Sequence, residues 1–410
     1  MDDIAPNTTG RRLREIRAWR GQSLEVTAGL AGISFGHLGK LERGDAPLTN
    51  RRTLEALAHA LQVAPSEISP TPQHAGPPPD GAAAVDVLAV ENALDAYEIG
   101  EDPGTESREW PQIAADLARL ADLAHGTSDY AGQAALMPGL LGELHTVYAR
   151  TPERRHAALV GMIGCYSSAV WTTKRLGGGG RGLPLLAARA AQQCAELLES
   201  PAWRGYTMWL RGDAAGGVSR PEQYRRAVRT ADELTSHLDD PDVIQAYGML
   251  HLSAALAASV QSDRDTTDTH LSEARAIAAR LDTEVGAFGH MMFGTANVGV
   301  WAACIGNEFG DGPQVAERAR TVNIAALPST SRQAEMHMEI GRALMTDPKR
   351  RDQGVQVLMR AEALAPQRFH ADVFVREVVA DHLRAARRDA GGRELRGLAW
   401  RLGIAPDPAR

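Results

Sequence analysis

His290, Asn297 and Trp301 recur at +7 and +11 within "GAFGHMMFGTANVGVWAACIG", residues 286–306. On a helix, those steps place all three side chains on one face. An asparagine in that position donates and accepts hydrogen bonds at once, which suits a peptide backbone. Tyr247, Met249 and His251 are candidates on a second inner helix, and Tyr166 and Trp171 on a third. These groups suit binding better than bond-breaking. No His-Glu-x-x-His occurs, so the helical zinc-protease pattern is missing. "LGGGGRG", residues 176–182, follows a helical pattern and lacks a Gly-Lys-Ser/Thr, so it predicts an inter-helix loop rather than a phosphate cradle. Cys165, Cys194 and Cys304 stand alone in apolar helical patterns. They predict buried thiols, with no disulfide framework and no metal site. The expectation is a chain with no catalytic residues, no metal and no cofactor.

The chain's 410 residues exceed one ordinary domain, and 44% hydrophobic with 23% charged is normal for a globular protein. No apolar run is long enough to predict a membrane span. The start, "MDDIAPNTTG", lacks the basic and apolar segments of a secretory signal. A cytoplasmic protein with no membrane partner is expected. Residues 1–69 hold nine Lys/Arg against eight Asp/Glu, and the remainder holds 35 against 43. An acidic body repels nucleic acid, so any DNA contact belongs to the N-terminal piece.

The proline-rich "SPTPQHAGPPPDGAAA" lacks apolar periodicity and predicts a linker over residues 70–84. The N-terminal domain is then 1–69 and the large one 85–403. The latter is helical in pattern throughout, with Ala-x-x-x-Ala/Cys-x-x-Leu in alternate helices at Ala190-Cys194-Leu197, Ala227-Ala231-Leu234 and Ala274-Ala278-Leu281. The steps are 37 and 47 residues. A period near 40 predicts stacked helical hairpins, an α-solenoid with a long concave face. The fold class expected is all-α: a small N-terminal helix-turn-helix domain plus a large α-solenoid of stacked helical hairpins.

Within residues 1–69, Leu13, Ile16 and Trp19 recur at helical spacing, and Gly21 ends that helix. Ser23, Ser34 and Thr53 are candidate caps for the next three helices. Ala28 is small where two helices would cross, and Gly32 fills a turn that needs positive φ. Ile33, Leu38 and Leu41 face the core, and "LERG" closes the third helix at Gly44.

These residues resemble the lambda-repressor-like, xenobiotic-response-element-type (XRE) helix-turn-helix family over roughly residues 10–69. The longer architecture is similar to that of bacterial regulators joining this module to a tetratricopeptide-like helical domain, the best understood of which sense peptides. The resemblance implies that Ser34 to Arg43 lies in the major groove. Lys40 would then reach guanine, Phe35 a thymine methyl, and His37 a base edge or phosphate, with Gly36 allowing close approach. Ser34, Arg43, Arg51 and Arg52 would touch the backbone, as would Arg11 or Arg12. Asn297 would bind an effector, with His290, Trp301 and Tyr247 beside it. Leu24 stands where the family carries a phosphate-binding Gln, and Thr27 where an aliphatic is common.

Specific protein–DNA complexes bury about 1,000–2,500 Å², more than one such module supplies. The partners expected are therefore double-stranded DNA, a second copy of the chain on a pseudo-palindromic operator, and a small-molecule or peptide effector. The rival expectation is a protein-interaction adaptor with a vestigial helix-turn-helix.

Overall fold

The structure is a computed structural model that describes residues 8–69, 82–175, 182–215, 220–386 and 393–404. The fold is all-α: an N-terminal helix-turn-helix is followed by a large helical domain. The expected proline-rich linker and the glycine run at 176–181 lie outside the described residues, apart from Ala82–Ala84, which open a helix.

The N-terminal unit comprises α1 (Thr8–Trp19), α2 (Leu24–Leu30), α3 (Phe35–Arg43), α4 (Arg51–Leu61) and α5 (Pro65–Ile68). Ser23 Oγ accepts from the Val26 amide at 3.1 Å, and Ser34 Oγ from the His37 amide at 3.1 Å. Each satisfies one of the amides a helix start leaves unpaired. Asn50, not Thr53, caps α4, its Oδ1 accepting from the Thr53 amide at 2.9 Å. The helix therefore starts three residues earlier than expected. Gly32 turns the chain at φ 62°, and Gly44 ends α3 at φ 76°. Leu13, Leu38, Leu57 and Leu61 are almost fully enclosed, each contributing about 1.5–3 kcal/mol of burial. Trp19, expected in that core, is 77% exposed.

Two polar groups also hold this unit together. Thr27 is fully buried; its hydroxyl donates to Gln22 Oε1 at 2.8 Å, while Gln22 Nε2 donates to the Ala60 carbonyl at 3.2 Å. Glu42, expected merely to end a helix, is buried and takes both arms of the Arg17 guanidinium at 2.5 and 2.8 Å.

The large unit runs through α6 (Ala82–Ala96), α7 (Trp110–Ala121), α8 (Tyr130–Arg150), α9 (Arg155–Arg175), α10 (Leu183–Leu198), α11 (Pro201–Ala214), α12 (Arg220–Leu234), α13 (Pro241–Val260) and α14 (Arg264–Ala278). It continues with α15 (Thr295–Glu308), α16 (Gln314–Ala319), α17 (Thr330–Met345), α18 (Arg351–Leu364), α19 (Pro366–His370), α20 (Val373–Ala386) and α21 (Arg393–Arg401). Successive helices pack on one another: α8 on α9, α9 on α10, α12 on α13, α13 on α14 and α17 on α18. The alanine pattern falls on alternate helices α10, α12 and α14, as expected. Ala227, Ala231, Ala274 and Ala278 are buried at closely packed crossings. On α10 the buried face is instead Ala187, Ala191 and Cys194, and Leu197 is 51% exposed. The α13 helix is long and apolar enough to cross a membrane, but 94% of that stretch is buried among its neighbours, as a core helix must be. The C-terminal helices share a cluster around Leu358, Phe369, Val379 and Leu398.

One element departs from its sequence pattern. The expected helix over 286–306 begins only at Thr295. Its first third is a loop, with φ positive at Gly289, His290, Met292 and Gly294. Two glycines shape it. A Cβ on Gly294 would lie 2.2 Å from the Glu284 carbonyl oxygen, and one on Gly248 of α13 would lie 1.9 Å from the Phe293 ring. Phe293 is fully buried in the notch that Gly248 leaves. Asn297 Nδ2 donates to the Met291 carbonyl at 3.1 Å, and Gln245 Oε1 accepts from the Phe288 amide at 2.9 Å.

Filling the notch should release the loop. Gly248→Ala is expected to destabilise the protein by about 1–3 kcal/mol through overpacking, measured by urea denaturation. Proteolysis should then begin within residues 286–294, before the surrounding helices are cut.

Candidate nucleic-acid interface and ligand cavity

Helix α3 has two faces. Leu38 and Leu41 are buried beneath it. On the outer face Ser34, Phe35, Gly36, Lys40 and Arg43 are exposed and His37 is partly so. Phe35 is 60% exposed. Arg43 Nε pairs with Asp45 at 2.8 Å, both in solvent, an interaction weak enough to exchange for a phosphate. Arg52 is exposed at the first turn of α4. Arg12 pairs with Glu67 at 3.4 Å and Arg11 with Glu15 at 3.7 Å.

Residues 32–36 also read Gly-Ile-Ser-Phe-Gly, the spacing of a nucleophile elbow. That motif needs a strand leading into the serine. Here a helix and a turn precede Ser34, and its Oγ is the cap of α3, so the match belongs to the turn.

Arg51 is where the structure corrects the expected phosphate set. It turns away from the outer face and into the large unit. Its Nη1 meets Glu308 Oε1 at 2.6 Å, and its backbone amide donates to Glu308 Oε2 at 2.7 Å. Burial opposes its charge, but the surrounding anionic groups, Glu308 and Glu339 among them, prevail and raise its pKa well above the usual arginine value. The Glu308 side chain has no solvent exposure. Three further contacts cross the same seam. Arg220 grips Glu55, its Nη2 at 2.8 Å; Arg342 Nη2 donates to the Thr49 carbonyl at 2.6 Å; and the Thr9 hydroxyl donates to Glu377 at 2.7 Å. Phe374 of α20 joins the core of the N-terminal unit. None of these pairings carries a sequence signal, because the partners stand more than 160 residues apart.

Behind this seam lies a cavity of about 310 Å³, bounded by α9, α11, α12, α15, α17 and the 286–294 loop, with Arg51 and Phe374 on its wall. That volume is at the lower end for small-molecule sites. His290 and Trp301 line it, as does Trp171. Asn297 does not: it is wholly buried and braces the loop through Met291. Tyr247 is also elsewhere, its hydroxyl donating to Glu273 at 3.1 Å and its ring packed on His251. Tyr166 is a core residue bonded to His145. The expected shared face thus fails at its centre, because the helix that would have carried it is broken before Thr295.

Trp171, Tyr206 and Trp209 form one aromatic wall, Trp209 standing 6.1 Å from Trp171 and 5.6 Å from Tyr206. Lys174 pairs with Asp213 at 2.8 Å, while Arg332 and Arg368 share the carboxylate of Glu335. Burial opposes the Glu335 charge, yet the two guanidiniums hold its pKa down at about 2. His125 and His290 stack at 4.7 Å between ring centres. Burial first, then the charge of His290, pushes His125 down to about 3, and burial lowers His290 as well. A larger hollow of about 750 Å³ lies along α14, α15 and α16, but its Asp311 already binds Arg264 and Arg318 at 3.0 and 2.6 Å. The three cysteines are buried, and burial pushes the Cys194 and Cys304 thiols up to about 12.

Residues 9–70 match the family described as a helix-turn-helix domain. No curated protein and no solved structure matches the chain.

Two outcomes follow from this geometry. Glu308→Ala strands the Arg51 guanidinium and should cost about 2–4 kcal/mol, read by urea denaturation, with residues 8–69 becoming more sensitive to limited proteolysis. Separately, His125 and His251, the latter lowered to about 4 by burial first and then by His270, take up protons more readily unfolded. Stability should therefore fall as pH drops from about 6.5 toward 4, by at most roughly 1.4 kcal/mol per pH unit for each histidine. Thermal melts across that range check the slope, which should lessen in His125→Asn.

Proposed function

We propose that this chain is a cytoplasmic, sequence-specific DNA-binding transcription regulator of the XRE type. It acts as a homodimer on a pseudo-palindromic site, and its tetratricopeptide-like helical domain, residues 85–403, senses an effector. The observation that supports the reading most is the helix-turn-helix match over residues 9–70, together with an α3 whose outer face is open while its inner face is core. On this reading Lys40 addresses guanine and Phe35 a thymine methyl. Ser34, Arg43 and Arg52 fix the helix on phosphates, His37 reaches a base edge or a phosphate, and Gly36 lets the backbone approach. Arg51 has no part in it, since its charge is spent on Glu308. The net charge of −8 beyond residue 69 keeps the duplex on the N-terminal face.

Mobility-shift titration of the full chain against its own upstream DNA tests this. Lys40→Ala with Arg43→Ala should weaken binding at least about tenfold and flatten its dependence on salt. Unchanged affinity overturns the assigned face. Weak, salt-insensitive binding by the unaltered chain overturns the regulator reading in favour of a protein adaptor.

A further inference from the structure

The wall of the 310 Å³ cavity contains more hydrogen-bond donors than the protein satisfies. Among the enclosed side-chain atoms of the described lining residues, Trp209 Nε1, Trp301 Nε1, Arg175 Nε and Arg368 Nε lack a partner, against one acceptor, Gln133 Oε1. A donor left unmet in a dry site costs about 1–3 kcal/mol. Water filling the cavity meets such donors only in part, since each water must also place two hydrogens. A group that only accepts matches the wall better.

The charges point the same way. Six cations line the cavity against Asp213, Glu335 and Asp372. Arg51 is matched by Glu308 and Arg220 by Glu55, both outside the lining. Arg332 and Arg368 have one carboxylate between them, and Asp372 accepts from the Phe374 and Val375 amides at the start of α20. The stacked histidines are held neutral at pH 7. One positive charge is left over by this count; Arg175 makes no ion pair among the described residues, and its charge acts at longer range on Asp213 and Glu335, which Lys174, Arg332 and Arg368 already hold. Beside it stands the wall of Trp171, Tyr206 and Trp209, a surface for a flat apolar ring.

We infer that this cavity is a binding site for a small organic monoanion, a planar ring bearing one carboxylate, with the carboxylate at Arg175 and the Trp209 and Trp301 indole N–H groups. This deepens the effector-sensing reading and rests on it for its consequence, though not for binding itself. Arg51 and Phe374 border the same cavity and also fasten the DNA-binding unit. An occupant that favours one arrangement of that seam shifts the population of docked units.

The test is calorimetric titration of the full chain, without DNA, with 2-naphthoate and with its neutral analogue 2-naphthamide. Saturable one-to-one binding of the naphthoate is expected, at least tenfold tighter than the amide. Arg175→Gln should reduce that preference to within about threefold, and Trp301→Phe, which keeps an aromatic ring and removes the donor, should weaken naphthoate at least threefold. Arg43→Ala, remote from the cavity, should leave it unchanged. The site is overturned by no saturable naphthoate binding at millimolar concentration, by equal binding of acid and amide, or by indifference to both cavity variants. Naphthoate binding with no DNA binding defeats the regulator reading alone, and DNA binding with no naphthoate binding defeats this site alone.

Discussion

Glu308 is a carboxylate without solvent exposure, and its cation comes from the other end of the chain. An unpaired charge in that position would cost several kcal/mol, so Arg51 is required wherever this seam is closed. The pair brings the first turn of α4 against α15, and Arg220–Glu55 and Arg342–Thr49 hold the same seam. Phe374 completes the arrangement by placing a ring from α20 in the core of the N-terminal unit. The N-terminal unit is thus fastened to the helical domain by buried polar contacts as well as by the apolar insertion of Phe374. Such contacts are directional: they fix one geometry and lose most of their worth when a partner shifts.

The cavity exists because of the same arrangement. Its walls come from helices on both sides of the seam, and the 286–294 loop closes it. That loop is kept out of helical form by backbone that glycine alone accepts at 294 and by the Gly248 notch that receives Phe293. His290 reaches the cavity only because its backbone has left the helix, while Asn297, one turn into α15, is spent on holding the loop. The features that shape the site are therefore small residues and two carboxamides, Asn297 and Gln245, none of which lines the space they create.

Much of the N-terminal unit was legible from the chain alone. Capping serines at 23 and 34, small Ala28, the positive-φ glycines at 32 and 44, and the spacing of Leu38 and Leu41 each report a local requirement that few residue types meet. The outward-facing set on α3 was expected from the resemblance of residues 10–69 to a helix-turn-helix family, and those residues are exposed or partly so. Alternation of alanine-rich helices was readable too, although its register on α10 was not. Trp19 and Thr53 misled, because an exposed tryptophan keeps the spacing of a core residue and Asn50 competes as a cap.

The sequence by itself determined the all-α class, the N-terminal helix-turn-helix and the apolar inner face of its third helix, since periodicity and capping act within a few residues. Tertiary structure alone decided that Arg51 serves the domain seam instead of the outer face, that Tyr247 and Asn297 lie off the cavity, and that Arg175, Trp209 and Trp301 line it. The physical reason is separation. A buried ion pair or an unmet donor is a property of groups that come together only on folding, and Arg51 and Glu308 are 257 positions apart.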